Sequence, residues 1–274
     1  MNYHRQFDRR HLKSLFTGLL LVGCGGLFLF LLFGLVTNDT AALELDRMAT
    51  MRSVRPKGIQ NSGNTCFAAS VVQMLFRIGF LRESLLALNP ASIEHLSEER
   101  KRPILGLQNL FRSLNDPNVK TVKDHKGRFI PAQFSVGQAA DAEEFFLACL
   151  DLFGSVLEVE KLQAGLSLQV APSDHLERMD FWSSIRVTFP EIITAQYTAL
   201  SLDSLLTRPM GPFGEEIING KPQIYRIIKS PQVLVLSFVR SLYNPTKGTL
   251  LKIKTPVNIP ESLDITPYYT PNNN

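Results

Sequence analysis

Residues 58–75 read GIQNSGNTCFAASVVQML and place one thiol, Cys66, where a polar loop gives way to an apolar period. Asn61, Ser62, Gly63, Asn64 and Thr65 form a turn-prone cluster. Beyond it Phe67, Val71, Met74, Leu75 and Ile78 recur at helical spacing, which predicts a helix over about 66–79 with one apolar face. A thiol at the first turn of a helix lies near unpaired N–H groups and the positive end of the dipole, which favour thiolate. Such a thiolate is an acyl-transfer nucleophile. Asn61 carries an amide able to donate to the oxyanion that attack on a carbonyl creates, and Gly63 opens backbone conformations closed to other residues. The competing reading of Cys66 is a small core residue.

A second constellation is DAEEFFLACLDLF. Asp141, with Glu144 three residues on, has the form of an N-terminal capping pair, and Phe145, Ala148, Cys149 and Leu152 line one face of the helix behind it. A cysteine hydrolase also needs a base to take the thiol proton and return it to the leaving amine. The five histidines are His4, His11, His95, His125 and His175. The first two precede an apolar run, and the others fall in helix flanks or loops.

Helices are expected to carry these groups. Leu81, Leu85, Leu86 and Leu88 mark a short helix ended by Pro90. Residues 92–102 read as a charged surface helix interrupted by Pro103. Leu107, Leu110, Phe111 and Leu114 then mark another, closed by Asn115-Asp116-Pro117. From Asp180 the period becomes two, through Ile185, Val187 and Phe189, then Ile193, Ala195, Tyr197 and Ala199, then Tyr225 and Ile227. Residues 233–239 form a near-continuous apolar run, as a strand buried on both faces would. Turn residues 243–248 and a partner strand over 249–255 make a hairpin with it.

The 274 residues carry a net charge of +4 with 45% hydrophobic and 20% charged residues, and no basic stripe points to nucleic acid. The three cysteines, Cys24, Cys66 and Cys149, lack paired spacing, which argues against a disulfide framework and a cysteine-built zinc site. Residues 15–36 contain no charge, and as a helix they would span about 33 Å. We therefore expect a basic segment over 1–14, a single transmembrane helix over 15–36, a polar tether over 37–56 and a globular domain over 57–274. No A-x-A-like cleavage site follows the run, so an anchor is preferred to a signal peptide. Basic residues flank it on both sides, which leaves the topology open.

The GIQNSGNTCFAASVVQ stretch resembles the cysteine box of the ubiquitin-specific proteases. The DAEEF helix resembles their Gln-Asp-Ala-x-Glu-Phe helix, with Ala140 where Gln is usual and Glu143 where His is common. PQVLVLSFVRSLYNPTKGTLLKIKTPVNIPESLDITPY is similar to the palm strands that precede that family's histidine, with Pro231, Leu234, Arg240, Pro256, Pro260, Leu263, Asp264, Pro267 and Tyr268 as landmarks. The resemblance implies an α+β, papain-like cysteine protease of thumb, fingers and palm, and a cysteine-type deubiquitinase acting on ubiquitinated proteins. Within it Cys66 is the nucleophile, Asn61 the oxyanion donor, and Asp141 with Glu144 the grip on ubiquitin's arginine-bearing tail. No cofactor is implied, and fingers between Leu152 and Pro231 must be metal-free. The domain is expected to face a ubiquitin-containing cytosol from its membrane. The family's histidine follows the Pro-Tyr landmark, but only six residues follow Tyr268, so the palm is expected to be incomplete and one edge of 233–239 bare. Truncation of an active enzyme and a ubiquitin-binding pseudoenzyme both remain open.

Overall fold

The computed structural model of the chain describes residues 18–22, 28–34, 57–61, 63–123, 127–135, 137–154, 156–170, 173–190, 199–244 and 248–270. The expected basic segment, the tether, His125 and the alternation over 193–197 lie outside them. Strands β1 (Gly18–Val22), β2 (Phe28–Gly34) and β3 (Gly58–Ile59) lead into helices α1 (Cys66–Arg77), α2 (Gly79–Ala87) and α3 (Glu98–Asn115). Strand β4 (Thr121–Val122), parallel to β3, precedes α4 (Ala142–Phe153). The helices share one core through Val71, Leu75, Leu85, Leu107, Phe111, Phe146 and their neighbours. Two polar side chains close helix ends inside this lobe. Buried Gln108 donates through Nε2 to the Leu85 and Leu88 carbonyls at the end of α2, at 3.0 and 2.6 Å, and Lys57 Nζ donates to Leu114 O and Asp116 O at the end of α3. The break expected at Pro103 does not occur. Pro103 lies inside α3, where it forfeits one backbone bond. The buried row Pro103, Ile104, Leu107, Leu110, Phe111 and Leu114 offsets that loss.

The second lobe contains β5 (Ala164–Val170), β6 (Ser173–Trp182), β7 (Ile185–Val187), β8 (Leu200–Ser201), α5 (Leu202–Thr207), β9 (Glu216–Ile218), β10 (Lys221–Lys229) and β11 (Val233–Val239). It continues with β12 (Ser241–Asn244), β13 (Thr249–Lys252) and β14 (Val257–Asn258). The region expected to form fingers holds the antiparallel sheet β6-β5-β10-β9. Its β9–β10 turn uses Asn219 and Gly220 at φ 52° and 75°, the left-handed pair that suits a tight hairpin. Pro267-Tyr268 anchors the final described turn. The Tyr268 ring stacks on Phe213 at 4.6 Å, and its hydroxyl donates to Asp203 Oδ1 at 2.7 Å. The strand expected over 249–255 is shorter and pairs with β12, not with β11.

β11 joins the lobes. Val235 belongs to the helical core, whereas Leu234, Leu236 and Phe238 belong to the core of the sheets. Its pairing corrects two expectations. Residues 18–22 and 28–34 are antiparallel strands, not parts of a transmembrane helix, and β2 runs antiparallel along all of β11 from Val233 opposite Gly34 to Val239 opposite Phe28. The edge expected to be bare is therefore covered, with parallel β7 on its other side. An apolar run without a period cannot distinguish a helix from a buried strand, and open backbone groups on an apolar edge strand favour a paired neighbour. Among the described residues no helix is long and apolar enough to cross a membrane.

The N-termini of α1 and α4 are held side by side by aromatic rings. Phe145 meets Phe67 edge-on at 5.5 Å and also contacts Phe134 and Phe129 at 5.4 and 6.3 Å. Phe145→Ala should therefore cost about 3–5 kcal/mol of stability, read as a lower urea midpoint. A loss below about 1 kcal/mol would mean that the lobe does not depend on this ring.

Candidate active site

Cys66 is the first residue of α1 and is half-buried, whereas Cys149 on α4 is fully buried. Burial pushes the Cys149 thiol far up and keeps it protonated. Of these two thiols only Cys66 reaches the surface. The loop before it is clasped by Asn61. Asn61 Oδ1 accepts from Gly63 N at 3.1 Å, Thr65 N at 3.0 Å and Thr65 Oγ1 at 2.9 Å. Two backbone N–H groups can face only the carbonyl end of an amide, so the clasp assigns that end and leaves Nδ2 as a donor outside it. Gly63 and Asn64 take φ of 104° and 50°, the left-handed turn that lets the loop fold back on Asn61.

The clasp also draws the Thr65 hydroxyl away from the helix it precedes. α1 has no side-chain cap, although Thr65 O accepts the first helical bond, from Ala69 N at 2.9 Å. The first-turn N–H groups of α1 are thus left without a side-chain acceptor, and the Asn61 amide keeps a donor that its clasp does not use.

A second link reaches the acidic constellation. Asn64 Nδ2 donates to Gly137 O at 2.8 Å, four residues before Asp141. Asp141 is the N-cap of α4, with Oδ1 accepting from Glu143 N at 2.7 Å and Glu144 N at 3.2 Å, a cap worth about 1 kcal/mol. Its other oxygen is not used in the cap, and Glu144 is exposed on the same turn. Cys66, Asn61, Asp141 and Glu144 therefore belong to two adjoining helix starts. No histidine is brought to them among the described residues. His95 is exposed in the turn after the short 3-10 helix Pro90–Ile93, His175 lies in β6, and Cys66 has no side-chain hydrogen bond among the described residues.

One group escaped the sequence reading. Glu143 stands beside Asp141 and Glu144 yet is buried. Its Oε2 pairs with Arg186 Nε at 3.0 Å, and its Oε1 accepts from Ser184 Oγ at 3.2 Å. The spacing to Phe146 and Leu150, both buried, was the available signal, since it puts Glu143 on the apolar stripe of α4. Burial pushes its carboxyl up, Arg186 and the Ser184 hydroxyl pull it down, Asp141 pushes it up, and Ser237 pulls it down; the net shift is upward. The folded state therefore holds this proton more tightly than the unfolded chain. The associated stability is full below the ordinary value of 4.5 and is lost as pH rises through the folded value. Glu143→Gln removes that dependence, so the variant should gain on the wild type in urea midpoint as pH rises above 4.5. A gap that stays constant with pH would sink this account.

Residues 57–274 match the family described as Ubiquitin carboxyl-terminal hydrolase. Ubiquitin carboxyl-terminal hydrolase 6 of Schizosaccharomyces pombe is 26% identical over an alignment covering 79% of this chain and 48% of that relative. The chain thus spans about half the length of this curated relative. Two solved structures share the fold. The SAGA Ubp8/Sgf11/Sus1/Sgf73 DUB module bound to ubiquitin aldehyde has a chain matched at TM-score 0.62 and 15% identity, over 89% of this chain and 65% of that one. The SAGA DUB module bound to monoubiquitin matches at TM-score 0.64 and 14% identity, over 90% and 67%. With more than half of its length matched to the family, and the mixed helix-and-sheet fold of these modules, the chain belongs to the ubiquitin carboxyl-terminal hydrolases.

Proposed function

We propose that the protein is a cysteine-type deubiquitinase that hydrolyses ubiquitin from conjugated proteins. The Cys66 thiolate attacks the carbonyl carbon of ubiquitin's terminal glycine, and the Asn61 amide with the first-turn N–H groups of α1 receives the oxyanion. The bond from that carbon to the lysine nitrogen breaks, the amine takes a proton from water, and water then hydrolyses the thioester, freeing ubiquitin's carboxylate and restoring the thiol. Asp141, through the oxygen its cap leaves free, and Glu144 accept charge-assisted hydrogen bonds from the arginine-bearing tail. The reaction draws on no metal or cofactor. It requires a compartment that contains ubiquitin. The observation that carries this reading is the Asn61 clasp, which holds the amide's acceptor end by three donors and leaves its donor end for the substrate.

A second reading, a ubiquitin-binding protein without hydrolysis, is favoured by one observation: among the described residues no base is hydrogen-bonded to Cys66. Ubiquitin bearing a C-terminal electrophile separates the two. The enzyme reading expects one covalent adduct, abolished in Cys66→Ala. Asn61→Asp keeps the oxygen that clasps Gly63 and Thr65 but removes the donor, so hydrolysis should slow by about 10²-fold with the fold intact. Ubiquitin bound without an adduct supports the second reading, and neither adduct nor binding removes both. Glu144→Gln, at an exposed position, should weaken ubiquitin affinity by about tenfold, in keeping with one lost charged hydrogen bond; unchanged affinity would take Glu144 out of the tail site.

A further inference from the structure

Strand β11 alternates between the two cores, with Val233 and Val235 towards the helices and Leu234, Leu236 and Phe238 towards the sheets. Ser237 falls on the helical side and breaks the apolar row. It is buried, and its hydroxyl stands beside the Glu143 carboxylate outside hydrogen-bond geometry. In the parallel ladder of β7 and β11, Ser237 is the register partner of Arg186. The Glu143 carboxylate thus meets one rung of this ladder, paired with Arg186, next to Ser237, and bonded to Ser184 just before β7.

The burial is one-sided. The Glu143 side chain is 9% exposed and that of Arg186 64%. Desolvating a carboxylate costs free energy that an exposed partner only partly returns, and an apolar side chain of similar volume commonly does as well or better. The cluster is thus a poor device for stability. It does restrict geometry: the ion pair to Arg186 of β7 and the hydrogen bond from Ser184 in the turn before it hold the carboxylate from two directions, whereas apolar packing alone lets a helix slide or turn. Asp141 and Glu144 ride on the same helical turn. Asp141 caps the N–H of Glu143 itself, so a rotation of Glu143 moves both.

We infer that Glu143 is a positioning residue: its carboxylate locks the first turn of α4 to the Arg186–Ser237 rung of the β7–β11 ladder and so aims Asp141 and Glu144 at the ubiquitin tail. The aiming rests on the ubiquitin reading above; the lock does not. Arg186, exposed beyond the pair, stays solvated when its partner is neutral, so Glu143→Gln leaves the fold standing.

The test combines two measurements on the full chain and on Glu143→Gln, Arg186→Gln and the double variant. The first is amide hydrogen exchange at Glu143 and Glu144, whose N–H groups the Asp141 cap holds. The second is equilibrium binding of monoubiquitin. Exchange in this turn should accelerate about fivefold or more in either single variant, and ubiquitin affinity should fall by about five- to tenfold. The double variant should be no worse than the worse single one, because both break the same contact. If Glu143→Gln fails to fold, Glu143→Met, which keeps the volume without the charge, takes its place with the same expectation. Unchanged exchange in all variants overturns the lock. Faster exchange with undiminished affinity overturns the aiming. Faster exchange in variants of a wild type that does not bind ubiquitin upholds the lock and removes the ubiquitin reading.

Discussion

A strand buried on both faces needs a core on each side and a backbone partner along each edge, and β11 has all four. Leu234, Leu236 and Phe238 enter the core of the sheets, Val233 and Val235 meet the helices, β7 lies on one edge and β2 on the other. Each unpaired N–H or carbonyl at such a site would cost about as much as a lost hydrogen bond. This requirement links the lobes. Without β11 the helical lobe would lose the sheet against which α4 is set, and the sheets would lose three core side chains.

The site depends on that junction indirectly. Its candidate residues sit at two helix starts, and each start is oriented by a small polar device. At α1 the Asn61 clasp turns the loop back on itself and leaves the helix without a side-chain cap. At α4 the opposite choice is made, and Asp141 caps the turn firmly. The two starts thus differ in what they present: N–H donors without a side-chain cap at the first, carboxylates at the second. Phe67 and Phe145, each next to a site residue, hold the two starts together by apolar contact.

The helices and the loop before Cys66 were legible because they depend on local rules. The 3.6-residue period marked α1, α2 and the apolar part of α3, and Asp141 announced the start of α4 through its capping position. Pro103 misled because the local rule against internal proline ignores the buried row on which α3 lies. Glu143 misled for a related reason: an acidic residue in a first turn is ordinarily a solvated contributor to the helix dipole, and nothing local says which face turns inward.

The sequence by itself determined where a thiol meets a helix start, which acid caps the second helix, and that 233–239 must be buried on both faces; each is a matter of neighbours within a few residues. Only the tertiary structure decided which end of the Asn61 amide faces its own loop, that Glu143 is withdrawn from water, and that residues 18–22 and 28–34 extend as strands. In the first case the choice follows from donors converging on one oxygen. In the second it follows from the sheet against which α4 packs. In the third an apolar run carries no period of its own, and an open strand edge far along the chain supplies the partner that sets its conformation.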